Sequence, residues 1–222
     1  MPPVSGMELP FGAYQLHLRG AVDYLEAVFA VVQKRPEALK VFVNGSIVLM
    51  VAYLEEFLRS LVGTSSELRE ATLRKHLSTL GNDAEKARAL NCDRPTLVRM
   101  AKRRLSFKKD GATISNMFDA LFGCSPWPSE SAKEAILDLA HVRHLIIHEG
   151  DAEVGLGEPG ATARQLRRKD VFATTSYGDW TIYRINPVNA LLLYRDALTG
   201  LLAQHDHLRR RLVDDDSWVS RI

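Results

Sequence analysis

Four stretches of this chain, residues 12–34, 39–62, 129–150 and 187–212, repeat apolar side chains at intervals of three and four. That spacing is the signature of amphipathic helices, and it commits most of the molecule to helix-on-helix packing. In the first stretch the repeat runs through Leu16, Leu18, Val22, Leu25, Val28, Phe29 and Val32, with Pro36 as the stop. The second is more apolar: Phe42, Val43, Ile47, Val51, Leu54, Phe57, Leu58 and Leu61 give a wide face, and Gly63 is the expected end. The last opens on Pro187 and carries a stripe of Leu191, Leu192, Leu198, Leu201, Leu202 and Leu208.

Shorter segments fill the gaps. Residues 64–77 begin with capping residues and an acidic first turn. Asn82 or Asp83 caps another short helix, and Asp93 followed by Pro95 opens the next. Residues 111–123 form a short helix between glycines; Pro126 and Pro128 interrupt the chain, and Ser129 restarts it as a cap. Glycines at 155, 157 and 160 with Pro159 make 151–163 a loop. Residues 171–185 are rich in Val, Thr, Tyr, Trp and Ile around a Tyr-Gly-Asp-Trp turn, so a β-hairpin is expected there. The expected architecture is mainly all-α, a bundle of long antiparallel helices with one small hairpin. It is read as a single domain, 1–222, with its core in about 12–150 and 187–212 and an insertion over 151–186.

The 222 residues are 46 % hydrophobic and 25 % charged, a globular balance with enough length to bury a core unaided. No uninterrupted apolar run reaches the length of a membrane span, and the N-terminal residues do not read as a secretory leader, so a cytoplasmic protein without membrane attachment is expected. Cys92 and Cys124 have no metal-ligand spacing. Net charge is only +2, but it is unevenly placed. Residues 100–109 contain Lys102, Arg103, Arg104, Lys108 and Lys109, and residues 164–169 contain Arg167 and Arg168. Such runs are either solvated surface or contacts for phosphates.

The segment HVRHLIIHEG, 141–150, concentrates three of the seven histidines at the end of an apolar helix. With 3.6 residues per turn, His141, His144 and His148 share one stripe, whereas Arg143 falls among Ile136, Leu139, Val142, Ile146 and Ile147. A guanidinium cannot shed its charge, so it needs a carboxylate, a phosphate or a cleft. Three readings compete. His144 and His148 have the i, i+4 spacing of a zinc pair with His141 as a third ligand, but Leu145 stands where a metalloprotease has its glutamate. In the plainest reading the histidines are helix-end polarity, His148 suiting the helix dipole, and Arg143 pairs with an acid such as Glu55 or Glu56. The third reading is a nuclease.

Arg143, four residues, then His148 at the close of an apolar helix resembles the R-x4-6-H signature of the HEPN superfamily of small helical domains. The preceding helix, VNGSIVLMVAYLEEFLRSLV, also resembles the group's second core helix, which often ends in an acidic residue. The likeness covers roughly residues 12–150. It implies a metal-independent endoribonuclease with no cofactor, in a toxin or phage-defence setting, with RNA as substrate. Arg143 and His148 would carry the reaction, His144 would orient the phosphate, and Glu55 or Glu56 would position the arginine. The chemistry suits these residue types: RNA supplies its own 2′-OH nucleophile, a histidine is a base near neutral pH, and arginine stabilises charge on phosphorus. Arg143 and His148 lie about 140° apart on a straight helix, and in the family two copies meet to build one composite site, so a homodimer is expected. Two departures stand out. His144 occupies a position that is often Asn, and Gly150 stands where some toxins carry a tyrosine modified by their antitoxin. The second argues against that mode of control and leaves a protein antitoxin, or a partner of unknown type, as the expectation. The competing expectation is a non-catalytic helical module that dimerises or binds a partner.

Overall fold

The structure, a computed structural model, describes residues 6–32, 38–107, 111–150, 152–156 and 158–215, without the side chains of Phe29, Val31, Val32, Ala161 and Thr162. Pro36, Lys108, Lys109 and residues 216–222 lie outside the described residues. The protein is mostly helical, with one small antiparallel sheet. The order is α1 (Glu8–Val32), α2 (Leu39–Ser65), α3 (Glu70–Ser78), α4 (Asp83–Asn91), α5 (Arg94–Arg104), α6 (Ala112–Phe122), α7 (Glu130–His148), β1 (Ala152–Leu156), α8 (Ala161–Gln165), β2 (Phe172–Tyr177), β3 (Trp180–Ile185) and α9 (Pro187–Arg209).

The caps follow the sequence closely. Asn82 accepts the Glu85 N–H at 3.0 Å while the Glu85 carboxylate takes the Asn82 N–H at 3.2 Å, a reciprocal capping box. Asp93 accepts from the Thr96 N–H at 3.0 Å with Pro95 in the first turn. One end and one start differ from expectation. α2 runs through Gly63 to Ser65, because buried Leu61, Val62 and Ser65 hold its last turn in the core. α3 therefore begins only at Glu70, after a turn, and Arg69 gives it no side-chain cap. α2 as a whole is long and apolar enough by length and composition to cross a bilayer, although no single run of it is uninterrupted; 44 % of its most apolar window is buried inside the protein.

The chain divides into two compact units, each drawn from separate stretches. The first takes the described parts of Met1–Gln15, Leu54–Pro128 and Gln204–Ile222. Tyr14 stacks on Phe57 at 4.2 Å between ring centroids, and Phe11 meets the same ring edge-on at 5.2 Å. His205, 3 % exposed, stands 3.3 Å from the Phe11 carbonyl, and Gln204 donates to the Pro126 carbonyl at 3.1 Å. α3 packs on α4, α5 and α6 around Leu73, Leu77, Leu97 and Phe118.

The second unit comprises Leu16–Tyr53 and Ser129–Ala203. Val43, Ile47, Met50 and Val51 of α2, Ile136, Leu139, Val142 and Leu145 of α7, and Leu193, Ala197 and Leu201 of α9 are buried in it. The expected hairpin is present: β2 and β3 pair from Phe172↔Ile185 to Tyr177↔Trp180, leaving Gly178 and Asp179 as a two-residue turn. The expected loop over 151–163 is corrected, since Ala152–Leu156 pairs antiparallel with β3, giving the order β1-β3-β2. Gly155 is required there, as a Cβ would collide with the Glu158 carbonyl oxygen where the chain doubles back.

Candidate functional site

α7 carries the residues of interest. Ser129 begins it by accepting the Ala132 N–H at 3.2 Å. Around its middle turns the helix is buried on nearly every side: Ile136, Leu137, Leu139, Ala140 and Val142 are all in the core. Asp138 is there too, only 1 % exposed. Its two carboxylate oxygens accept the backbone N–H groups of Arg167 and Arg168, each at 3.0 Å. A buried carboxylate is costly unless its lone pairs are taken; here they fasten the insertion to α7, against which α8 and β1 also pack. Sequence reasoning missed Asp138. The signal was a lone acid in the apolar run Ile-Leu-Asp-Leu-Ala.

The last two turns of α7 emerge from the core. Leu145 remains fully buried and Ile146 is partly covered, whereas His144, Ile147 and His148 are exposed. The apolar face is thus centred differently from the sequence expectation: Ile147 is 45 % exposed and Leu145 takes the inner position. Arg143 is consequently not a core residue. It lies at one border of the emerging flank, followed around the helix by Ile147, His144 and His148. The His144 and His148 rings stand 4.5 Å apart between centroids. Glu149 caps the helix by donating its N–H to Leu145 O at 2.9 Å, and Gly150 leaves with φ +64°.

Arg143 is half-buried, and its Nε is sealed from solvent without a hydrogen-bond partner among the described residues. No carboxylate among them pairs with it. The acids expected to serve it are engaged elsewhere: Arg59 donates to Glu55 at 3.3 Å and Ser60 to Glu56 at 3.3 Å, all within the first unit. Glu55 finds its cation one turn along its own helix. Among the described residues no three His, Cys, Asp or Glu side chains converge as a metal would require.

The basic residues separate into two groups. Arg104 pairs with Glu85 at 2.9 Å, whereas Lys102 and Arg103 line a shallow cavity in the first unit. Arg167 pairs with Glu134 at 3.2 Å. Arg168 pairs with Asp196 at 2.7 Å and Asp170 at 3.1 Å, and its hydrogen bond holds the Asp170 carboxyl below the usual carboxylate range. Both guanidiniums thus sit among acids, beside buried Asp138. Among the remaining histidines, burial lowers the pKa of His76, opposed by the Asp119 carboxylate.

No protein-family model, no curated protein and no solved structure matches this chain.

Proposed function

We propose that the protein is a metal-independent endoribonuclease of the HEPN type, acting through Arg143 and His148. The observation that carries this reading is the state of Arg143. A half-buried guanidinium with a sealed, unpartnered Nε stands on the flank that also presents two adjacent, solvent-facing imidazoles. A cation left unbalanced at a surface that offers bases is suited to a phosphodiester.

In this reading His148 takes the proton of the ribose 2′-OH and the 2′-oxygen attacks phosphorus. The P–O5′ bond breaks, and O5′ leaves with a proton from water. Arg143 neutralises the charge that builds on the phosphoryl oxygens, and His144 orients the same group. The products are a 2′,3′-cyclic phosphate and a 5′-OH. The reading includes a cytoplasmic location, a homodimer with a composite site, a protein partner of unidentified kind, and a toxin or defence role.

A second reading, a dimerisation module without chemistry, is favoured by one feature. A cavity of about 370 Å³ in the second unit is lined by Gly20, Gly45 and the exposed Leu16, Val41, Phe42 and Leu49, among others. The deciding experiment is RNA cleavage in EDTA by the wild type and by His148→Ala, with the product ends identified. Cleavage by the wild type alone, leaving cyclic phosphates, is expected. Equal cleavage by both proteins sinks the assignment, and no cleavage of varied RNAs transfers the case to the dimerisation module.

A further inference from the structure

In the first unit, a cavity of about 410 Å³ lies where α5 meets the second half of α2. Six residues line it: Arg59, Pro95, Val98, Arg99, Lys102 and Arg103. Four of these are cations and none is an acid. Arg99, Lys102 and Arg103 follow one another at i, i+3 and i+4, so they share one face of α5. Arg59 joins them from α2, with Glu55 at 3.3 Å as its one carboxylate. Arg99 donates to the Thr96 hydroxyl at 3.3 Å, and Lys102 lies over Gly63. Among the described residues no carboxylate comes within 4.0 Å of the charged groups of Arg99, Lys102 or Arg103. The sequence singled out Lys102 and Arg103 as members of a basic run, but only the fold adds Arg59 and Arg99 and omits Arg104.

We propose that this groove binds the sugar–phosphate backbone of single-stranded RNA. Glu55 balances Arg59 and the Asp93 carboxylate acts on Arg99, but Lys102 and Arg103 leave the concavity with excess positive charge that favours an anion. The groove is shallow and open, so it covers only one side of a ligand. A single phosphate would remain mostly hydrated there. A strand gains at each contact through counterion release. One helical turn of α5 advances about 5.4 Å, comparable to the step between phosphates in an extended strand. Pro95 and Val98 supply an apolar floor for sugars. Among the described residues no aromatic ring or base-reading amide lines the groove, which gives electrostatic, sequence-tolerant binding.

The proposal rests on the ribonuclease reading only in naming RNA as the polymer, and it is tested by binding rather than cleavage. Full-length His148→Ala protein is titrated into a labelled, unstructured 20-nucleotide RNA at several salt concentrations. The same is done with Arg99→Gln/Lys102→Gln/Arg103→Gln added. The added substitutions are expected to weaken binding at least about tenfold at low salt and to flatten the log–log salt slope by about 2, close to 0.7 for each lost phosphate contact. Arg99→Lys/Arg103→Lys, which keeps the charge, and Lys75→Gln/Lys86→Gln, placed on α3 and α4, are expected to bind within about threefold of the parent. Far-ultraviolet circular dichroism checks the triple variant, and Arg103→Gln alone replaces it if helix content falls. An unchanged Kd and slope overturns the proposal, and so does a parent protein that binds no RNA at low salt. Loss of binding in the groove variants together with a wild type that cleaves nothing upholds the groove and removes the nuclease. Normal binding by the groove variants of a protein that does cleave has the opposite meaning.

Discussion

At the scale of single residues, polar groups in unusual places say most about this molecule. Arg143 and His148 stand out in the sequence because a permanent cation and a cluster of imidazoles close an apolar helix. Asp138 does not stand out, because its partners are the backbone of residues 167 and 168, far along the chain. A sequence displays side chains, not the peptide N–H groups that a fold delivers to them. Glu55 is a different case: its partner Arg59 lies four residues on, a helix pair that the spacing itself displays. Asp138→Ala would leave two N–H groups unpaired in the interior. At about 1–3 kcal/mol for each unsatisfied donor, the two together cost about 2–6 kcal/mol, partly relieved if water enters. Urea unfolding checks it: a lowered midpoint with an unchanged m-value is expected. A loss below about 0.5 kcal/mol, the range of an ordinary surface substitution, would mean that the insertion is held to α7 by packing alone.

At the scale of elements, legibility followed locality. The four long helices, their caps and the hairpin are written in short-range patterns, and each formed close to where those patterns place it. β1 was hidden. Its glycines speak for a loop, and its strand character comes from pairing with β3 some thirty residues onward. The end of α2 was misplaced for a related reason, since tertiary burial outweighed the helix-stopping tendency of Gly63. The sheet depends on one tight turn, because most of β2 faces solvent and offers little packing to hold the pair. Gly178 has φ +59° and open space around it, so a side chain there meets only backbone strain. Gly178→Val is expected to cost the hairpin about 1–2 kcal/mol, and so to speed amide exchange in β2 and β3 about five- to thirtyfold. Gly178→Asn, which accepts this backbone conformation, is expected to leave exchange near the wild-type rate. Equal exchange in both variants would show that β1 and β3 alone set the sheet's stability.

At the scale of the whole molecule, the chain forms two compact units whose segments alternate along the sequence. Local periodicity carries no record of such long-range partition, so this was not legible. Assembly is the remaining question at this scale, and it bears directly on the proposed chemistry. Arg143 and His148 sit about 140° apart on α7, which is a wide separation for two groups acting on one phosphate. A two-fold pair of chains removes the difficulty if Arg143 of one copy meets His148 of the other. Arg143→Ala and His148→Ala are each expected to abolish cleavage when alone. Mixed in equal amounts and allowed to exchange, half the dimers become heterodimers. Each heterodimer then holds one site with both residues intact and one with both removed. Cleavage should therefore return to about a quarter of the wild-type rate. Recovery requires subunit exchange, which native mass spectrometry of differently sized tags follows independently. If heterodimers form and cleavage stays absent, the two residues act within one chain, and α7 must then bend or fray near Glu149 to bring them onto the same phosphate.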